Sequence, residues 1–223
     1  MKVLTYHNID TPPKEAKLKT LYVKPSKFDK QLKILKMLNY KTPSLTDIKF
    51  TKKEILLTFD DGYKDFIEKS FPIIKKHNFK AIVFIVTDLV GSYNRWDWEK
   101  LNVKKLLMDW KDIEYIQKEG IEIGSHTLTH PFLTKIEIKE AKKEIENSKK
   151  ILEDKLGTEI TSFCYPYGDY NEKIRDLVEE AGYRYAFTTK DGSFEMSDDP
   201  FQIKRITVFG NLLLPQFIFK VLR

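Results

Sequence analysis

The chain reads as an α/β protein, with parallel strands wrapped by helices. Three observations predict this. Short apolar, β-prone runs alternate with amphipathic helical stretches along the whole sequence, as in successive strand–helix–strand units. The residues best suited to chemistry follow directly on strands, at the rim where α/β proteins gather ligands. The length of 223 residues fits one domain over 1–223, and no repeat or low-complexity stretch divides it. An open doubly wound sheet and a (β/α) barrel satisfy the alternation equally.

Val3-Leu4-Thr5-Tyr6-His7 is the first buried strand, with His7 at its C-terminal end. The segment 8–21 is polar and lysine-rich, a loop over the mouth of the strands. Ser26 is placed to cap a helix in which Phe28, Leu32, Leu35 and Leu38 recur at helical spacing. Pro43 and a turn over 44–47 lead to the apolar strand 55–59. A helix over 64–77 follows, with Pro72 as a kink or a fresh start. The stretch 81–86 is the clearest buried strand, and 87–108 is long and irregular, as functional loops often are.

Asp109 caps the next helix, which Gly120 ends, and a short strand over 121–124 follows. Thr134-Lys135-Ile136-Glu137 reads as a capping box opening a helix to Leu156, stopped by Gly157. Ile138, Ala141, Ile145 and Leu152 form its inner stripe. The strand 162–165 ends at Pro166-Tyr167-Gly168, and Asn171 caps a helix closed by Gly182. Runs over 185–188 and 203–208 complete the strands. The tail 212–223 is apolar with a basic end, too short to cross a bilayer, and suited to docking on the barrel, a partner subunit or a membrane surface.

Composition narrows the function classes. The 32% charged share is rich in Lys and Glu, and the net charge of +6 is spread over helices with Glu interleaved. That is a solvated face; no aromatic-basic module for nucleic acid stands out, and nucleic acid is not an expected partner. The single cysteine, Cys164, excludes an intrachain disulfide and fits a reducing cytoplasm. The start of the chain has no signal-peptide core. The expectation is a cytoplasmic protein, at the inner face of the membrane if the tail touches lipid. Oligomeric state is not readable from these features.

Two stretches carry the chemistry. Thr58-Phe59-Asp60-Asp61-Gly62-Tyr63 places two carboxylates where a buried strand ends, and Ser125-His126-Thr127-Leu128-Thr129-His130 places two imidazoles after another. Adjacent carboxylates on extended backbone point to opposite sides, so one can bind a metal while the other handles a proton. His126 and His130, at i and i+4, share a face if the segment turns helical. Two histidines and a carboxylate are a common catalytic zinc set with a position left for water. An Asp-Asp-Gly sequence alone is usually only a turn; both motifs at strand ends favour the metal. Trp96 and Trp98 in the long loop are candidates for a substrate-stacking platform, with a small satellite core as the alternative. Trp98, Tyr63 and Pro166 are the candidate substrate contacts.

TFDDGY, SHTLTH and the later FCYPYGDYN resemble the first three motifs of the polysaccharide deacetylase (NodB-homology) family, carbohydrate esterase family four. The resemblance covers about residues 1–210. It implies a distorted (β/α) barrel of about seven parallel strands, one divalent metal, usually zinc, and hydrolysis of an N-acetyl group on an amino sugar. It further implies Asp61, His126 and His130 as metal ligands and Asp60 as general base. The backbone N–H of Tyr167 matches the family's oxyanion donor. Cobalt and nickel suit the same ligands, so the metal's identity stays open.

The chain departs from the family pattern twice. The usual general acid is a histidine near the C-terminus, yet no histidine follows His130. His7 is the natural replacement, because the first and last strands of a barrel are neighbours; a branch resembling poly-N-acetylglucosamine deacetylases begins with a similar Tyr-His strand. His77 reads as a surface residue. Cys164 stands where many members have an arginine that holds the catalytic carboxylate. Arg205 on the last strand is the candidate substitute, and Cys164 reads as a packed thiol. The expected substrate is an N-acetylated saccharide, as polymer or lipid-linked precursor. The rivals are the same fold cleaving a cyclic imide or ureide, and a catalytically silent carbohydrate-binding protein.

Overall fold

The computed structural model describes residues 1–43, 53–195 and 197–223; the turn expected over 44–47 lies outside them. Seven parallel strands are β1 (Lys2–Tyr6), β2 (Ile55–Phe59), β3 (Ile82–Ile85), β4 (Glu122–Ser125), β5 (Ser162–Cys164), β6 (Tyr185–Phe187) and β7 (Ile206–Thr207). They form one sheet in the order β6-β5-β4-β3-β2-β1-β7. The helices are α1 (Pro25–Met37), α2 (Phe71–His77), α3 (Trp98–Leu101), α4 (Trp110–Lys118), α5 (Ile138–Leu156), α6 (Glu172–Glu180) and α7 (Leu214–Leu222).

The sheet curls into a distorted barrel because one segment reaches both of its ends. The Ile203 N–H donates to the Ala186 carbonyl of β6, and the Val208 N–H donates to the Thr5 carbonyl of β1, each at 2.9 Å. The strand expected over 203–208 is therefore a bridge at Ile203 followed by the two-residue β7. Between them Arg205 turns its N–H to the Lys190 carbonyl, 2.8 Å away, which breaks the ladder.

Alternation along the strands sorts the core into two layers. Leu4, Tyr6, Leu57, Phe59, Val83 and Ile85 pack outward with the helices. Val3, Leu56, Ile82 and Phe84 point inward and join Cys164, Phe187, Phe194 and Ile203. Gly124 makes room for this filling, since a Cβ there would stand 2.5 Å from the Phe84 ring. Toward the C-terminal rim the inner face turns polar: Thr5 and Thr58 meet at 3.1 Å, and Asp60 lies one inward position above Thr58. The fold thus presents carboxylates at the mouth of an apolar barrel.

Several local expectations are corrected. Helix α1 starts at Pro25, which occupies the first turn, and Ser26 makes no cap. A Pro suits that place because its missing N–H has no helical acceptor there. Thr134 does not cap α5; its hydroxyl donates to Asp169, and α5 begins at Ile138 with no side-chain cap. The helix over 64–77 is a π-helical turn, Phe66–Ser70, running into α2, with Pro72 at the fresh start. His77 is buried, its Nε2 2.9 Å from Asp29 Oδ1. Asp109 and Asn171 cap α4 and α6 as expected.

The tail docks on the barrel. Phe217 and Val221 are buried, and the Tyr40 hydroxyl donates to the Val221 carbonyl at 2.9 Å, while Phe219 and Leu222 stay exposed. Phe217→Ala is expected to lower unfolding stability by about 3–5 kcal/mol in urea titrations, the usual cost of an emptied aromatic site. A loss below about 1 kcal/mol would mean that α7 is not part of the folded core.

Candidate active site

Four strand ends meet at the rim. β2 ends in Asp60 and Asp61, β4 leads to His126 and His130, β1 leads to His7, and β5 leads to Tyr165-Pro166-Tyr167. The two aspartates diverge because the chain turns at Asp61, where φ is +75°. Both are buried.

Asp60 is gripped from inside the barrel. Arg205 Nη1 donates to Oδ1 at 2.7 Å and Nη2 to Oδ2 at 2.8 Å, the bidentate geometry of guanidinium with carboxylate. Every nitrogen of the guanidinium is used: Nε donates to the Thr188 carbonyl at 2.8 Å, Nη1 also to Thr58 Oγ1 at 3.2 Å, and Nη2 approaches Cys164 Sγ at 3.2 Å. Burial pushes the Asp60 carboxyl up, but Arg205 and His7 outweigh it and hold it below the usual carboxylate range. Asp60 is therefore an ionised, oriented carboxylate. His7 faces it, Nε2 to Oδ2 at 3.8 Å, and is partly exposed.

Asp61 faces the imidazoles. Its Oδ1 lies 3.5 Å from His126 Nε2 and 3.4 Å from His130 Nε2. Ligands at about 2.0–2.1 Å around a tetrahedral zinc stand about 3.3–3.4 Å apart, so these separations fit one cation. The tautomer fits as well. His126 Nδ1 donates to the Cys164 carbonyl at 2.7 Å, so in the neutral imidazole the lone pair lies on Nε2, toward Asp61. Burial opposes ionisation of Asp61, yet the imidazoles hold its carboxyl well below the usual range, the form a cation needs.

Asp60, His126 and Cys164 form a second close group, and it fits a cation poorly. The Arg205 guanidinium already occupies both Asp60 oxygens and touches the sulfur. Burial raises the Cys164 thiol, which disfavours the thiolate a metal takes. Cys164 is a packed, fully buried thiol, as its apolar strand suggested.

His126 and His130 do not share a helical face. The segment is a turn with positive φ at Thr127 (+69°) and His130 (+66°). The His130 N–H donates to Thr127 Oγ1 at 3.0 Å, and Glu144 of α5 accepts from the N–H groups of Leu128 and Thr129 at 2.8 and 2.9 Å. Glu144 was not read from the sequence; among the Lys/Glu pairs of α5 it looks like any outer-face residue.

Tyr167 sits at φ +59°, with its N–H in the first turn of a 3-10 helix, where no internal acceptor exists. Its ring stacks on Phe132 at 3.8 Å and meets His130 edge-on at 4.5 Å. Pro166, which precedes it, is buried. Tyr63 is buried too, its hydroxyl turned to Asp61, so it supports the site rather than offering a sugar platform. Trp98 packs edge-on to Tyr93, and its only described ring contact lies there, within the loop. Trp96 is the tryptophan at the site, stacked on His130 at 4.7 Å. Of the two candidate tryptophans, Trp96 and not Trp98 touches a proposed metal ligand.

Arg205→Met is expected to cost about 3–5 kcal/mol in unfolding stability, because it strands a buried carboxylate. Arg205→Lys should recover only part of this, since an ammonium cannot form the fork. Near-native stability of both variants in urea titrations would contradict the clamp.

Comparisons with known proteins bear on the family and the fold. The family described as polysaccharide deacetylase matches residues 47–186. A poly-beta-1,6-N-acetyl-D-glucosamine N-deacetylase of Staphylococcus aureus is 27% identical over 207 residues, covering 86% of this chain and 69% of the relative. The Streptococcus pyogenes deacetylase PplD, solved in complex with acetate, superposes with a TM-score of 0.84 at 25% identity over 99% of this chain and 97% of its own. A polysaccharide deacetylase from Bacillus cereus gives a TM-score of 0.83 at 28% identity, covering 99% and 68%. With motifs, barrel and a match over more than half its length in agreement, the chain belongs to the polysaccharide deacetylase family.

Proposed function

We propose that the protein is a metal-dependent N-deacetylase that removes acetyl groups from N-acetylglucosamine units of a glycan. The observation that carries this is the division of the paired aspartates: Asp61 faces two imidazole Nε2 atoms, while Asp60 is clamped by Arg205 and faces His7. Relatives that act on poly-beta-1,6-N-acetyl-D-glucosamine support the substrate class.

Asp61, His126 and His130 would hold the cation. When bound, a divalent metal lowers the pKa of a water and polarises the acetyl carbonyl. Asp60 takes the proton of the attacking water; Arg205 keeps it ionised and fixes its direction. The Tyr167 N–H donates to the oxygen that gains charge as the acetyl carbon becomes tetrahedral, a contribution of about 3–4 kcal/mol for donors of this kind. His7, across the cleft from Asp60, gives its proton to the sugar nitrogen as the C–N bond breaks. Acetate and a free amine leave. A lipid-linked form of the substrate is supported by the exposed Phe219 and Leu222 beside Lys220 and Arg223 on α7, and co-sedimentation with anionic vesicles tests it.

The test is acetate release from N-acetylglucosamine oligomers by metal-stripped protein with and without added zinc. Release only after zinc is added is expected; equal release without metal, or turnover of a cyclic imide alone, contradicts the reading. Asp60→Asn should retain zinc and lose turnover. His7→Ala should reduce kcat by about 10²–10⁴-fold and remove one limb of the pH–rate profile. An unchanged rate and profile in His7→Ala would exclude it as the acid.

A further inference from the structure

The two imidazoles of the proposed cation site are held in different ways. His126 is fixed by a hydrogen bond from Nδ1 to the Cys164 carbonyl, the usual way a ligating histidine is oriented. His130 Nδ1 is buried and has no hydrogen-bond partner among the described residues. Among the described residues no side chain offers Nδ1 the acceptor that His126 finds in the Cys164 carbonyl. Instead the ring is packed between two aromatics: Trp96 lies over its face at 4.7 Å with planes 24° apart, and Tyr167 meets it edge-on at 4.5 Å and 78°.

Trp96 is itself built into a braced loop. Asn94, fully buried, donates from Nδ2 to Asp97 Oδ1 at 2.9 Å and to the Val103 carbonyl at 3.1 Å, and its Oδ1 accepts from the Lys105 N–H at 2.7 Å. The indole N–H of Trp96 faces the Asp97 carboxylate. Tyr63, whose hydroxyl faces Asp61, packs on the indole with ring centroids 6.4 Å apart. The irregular segment between β3 and α4 therefore ends as a rigid support, with the indole as its contact to the second histidine.

We propose that Trp96 is a positioning residue that sets the rotation of His130, in the place where a hydrogen-bond acceptor on Nδ1 normally does so. It acts by shape: an imidazole stacked on an indole has the plane of its ring fixed, and in that plane Nε2 stands 3.4 Å from the Asp61 oxygen. The inference rests on the metal reading of Asp61, His126 and His130. Loss of a group that orients a ligating histidine costs roughly 10–100-fold in metal affinity.

The experiment is zinc affinity by chelator competition on the full chain, with the melting temperature of the metal-free protein measured alongside. Trp96→Ala is expected to bind zinc about 10-fold or more weakly with little change in metal-free melting. Trp96→Phe, which keeps a flat ring, should stay within about threefold of the parent. Trp98→Ala, in the same loop but packed on Tyr93, should leave the affinity unchanged. A wild-type chain that takes up no zinc would remove the metal reading and this inference with it. Wild-type binding matched within about twofold by Trp96→Ala, or lost equally in Trp98→Ala, would overturn the role of Trp96 alone.

Discussion

The ion pair between Asp60 and Arg205 is the constraint on which the site depends. Two full charges are buried inside a barrel, where desolvation costs several kcal/mol for each ion. The pair persists because no hydrogen-bonding group of the guanidinium is left idle: two carboxylate oxygens, a threonine hydroxyl, a carbonyl and a sulfur surround it. To deliver this guanidinium the chain must bring residue 205 between the two ends of the sheet. The curl of the barrel and the break in its last strand are the same event as the placement of Arg205. Removing the charge would leave Asp60 free to protonate, or to compete with Asp61 for a cation.

That arrangement separates the work of two neighbouring carboxylates. The turn at Asp61 sends one side chain to the guanidinium and the other to the imidazoles. A cation attracted to the rim meets one available carboxylate, since the other is neutralised from within. The two carboxylates differ in their partners, Arg205 from late in the chain for Asp60 and His126 and His130 from its middle for Asp61, and not in their own chemistry.

What could be read from the sequence follows from this distinction between local and long-range causes. The first six strands, the Asp-Asp and His motifs, and the caps at Asp109 and Asn171 are local patterns and were legible; the last strand was not, because its break at Arg205 is set by the distant Lys190 carbonyl. Arg205 was legible only through the absence of an arginine at Cys164, and His7 through the absence of a later histidine. Glu144 and Phe132 were not legible, because a helix-face glutamate and a lone aromatic carry no local mark of what they will touch. Between Trp96 and Trp98 the sequence gives no preference; the bracing of the loop by Asn94 turns the first to His130 and the second to Tyr93. Two expected helix starts failed for different reasons: Thr134 has a better distant partner in Asp169, and Pro25 takes the first turn ahead of Ser26.

The central claim is that one cation is held by Asp61, His126 and His130, leaving Asp60 to its arginine. X-ray absorption at the zinc edge of the reconstituted protein tests this directly. The account predicts a shell of nitrogen and oxygen atoms at about 2.0–2.1 Å, including two imidazoles. A sulfur scatterer at about 2.3 Å would place the metal on Cys164 and contradict it.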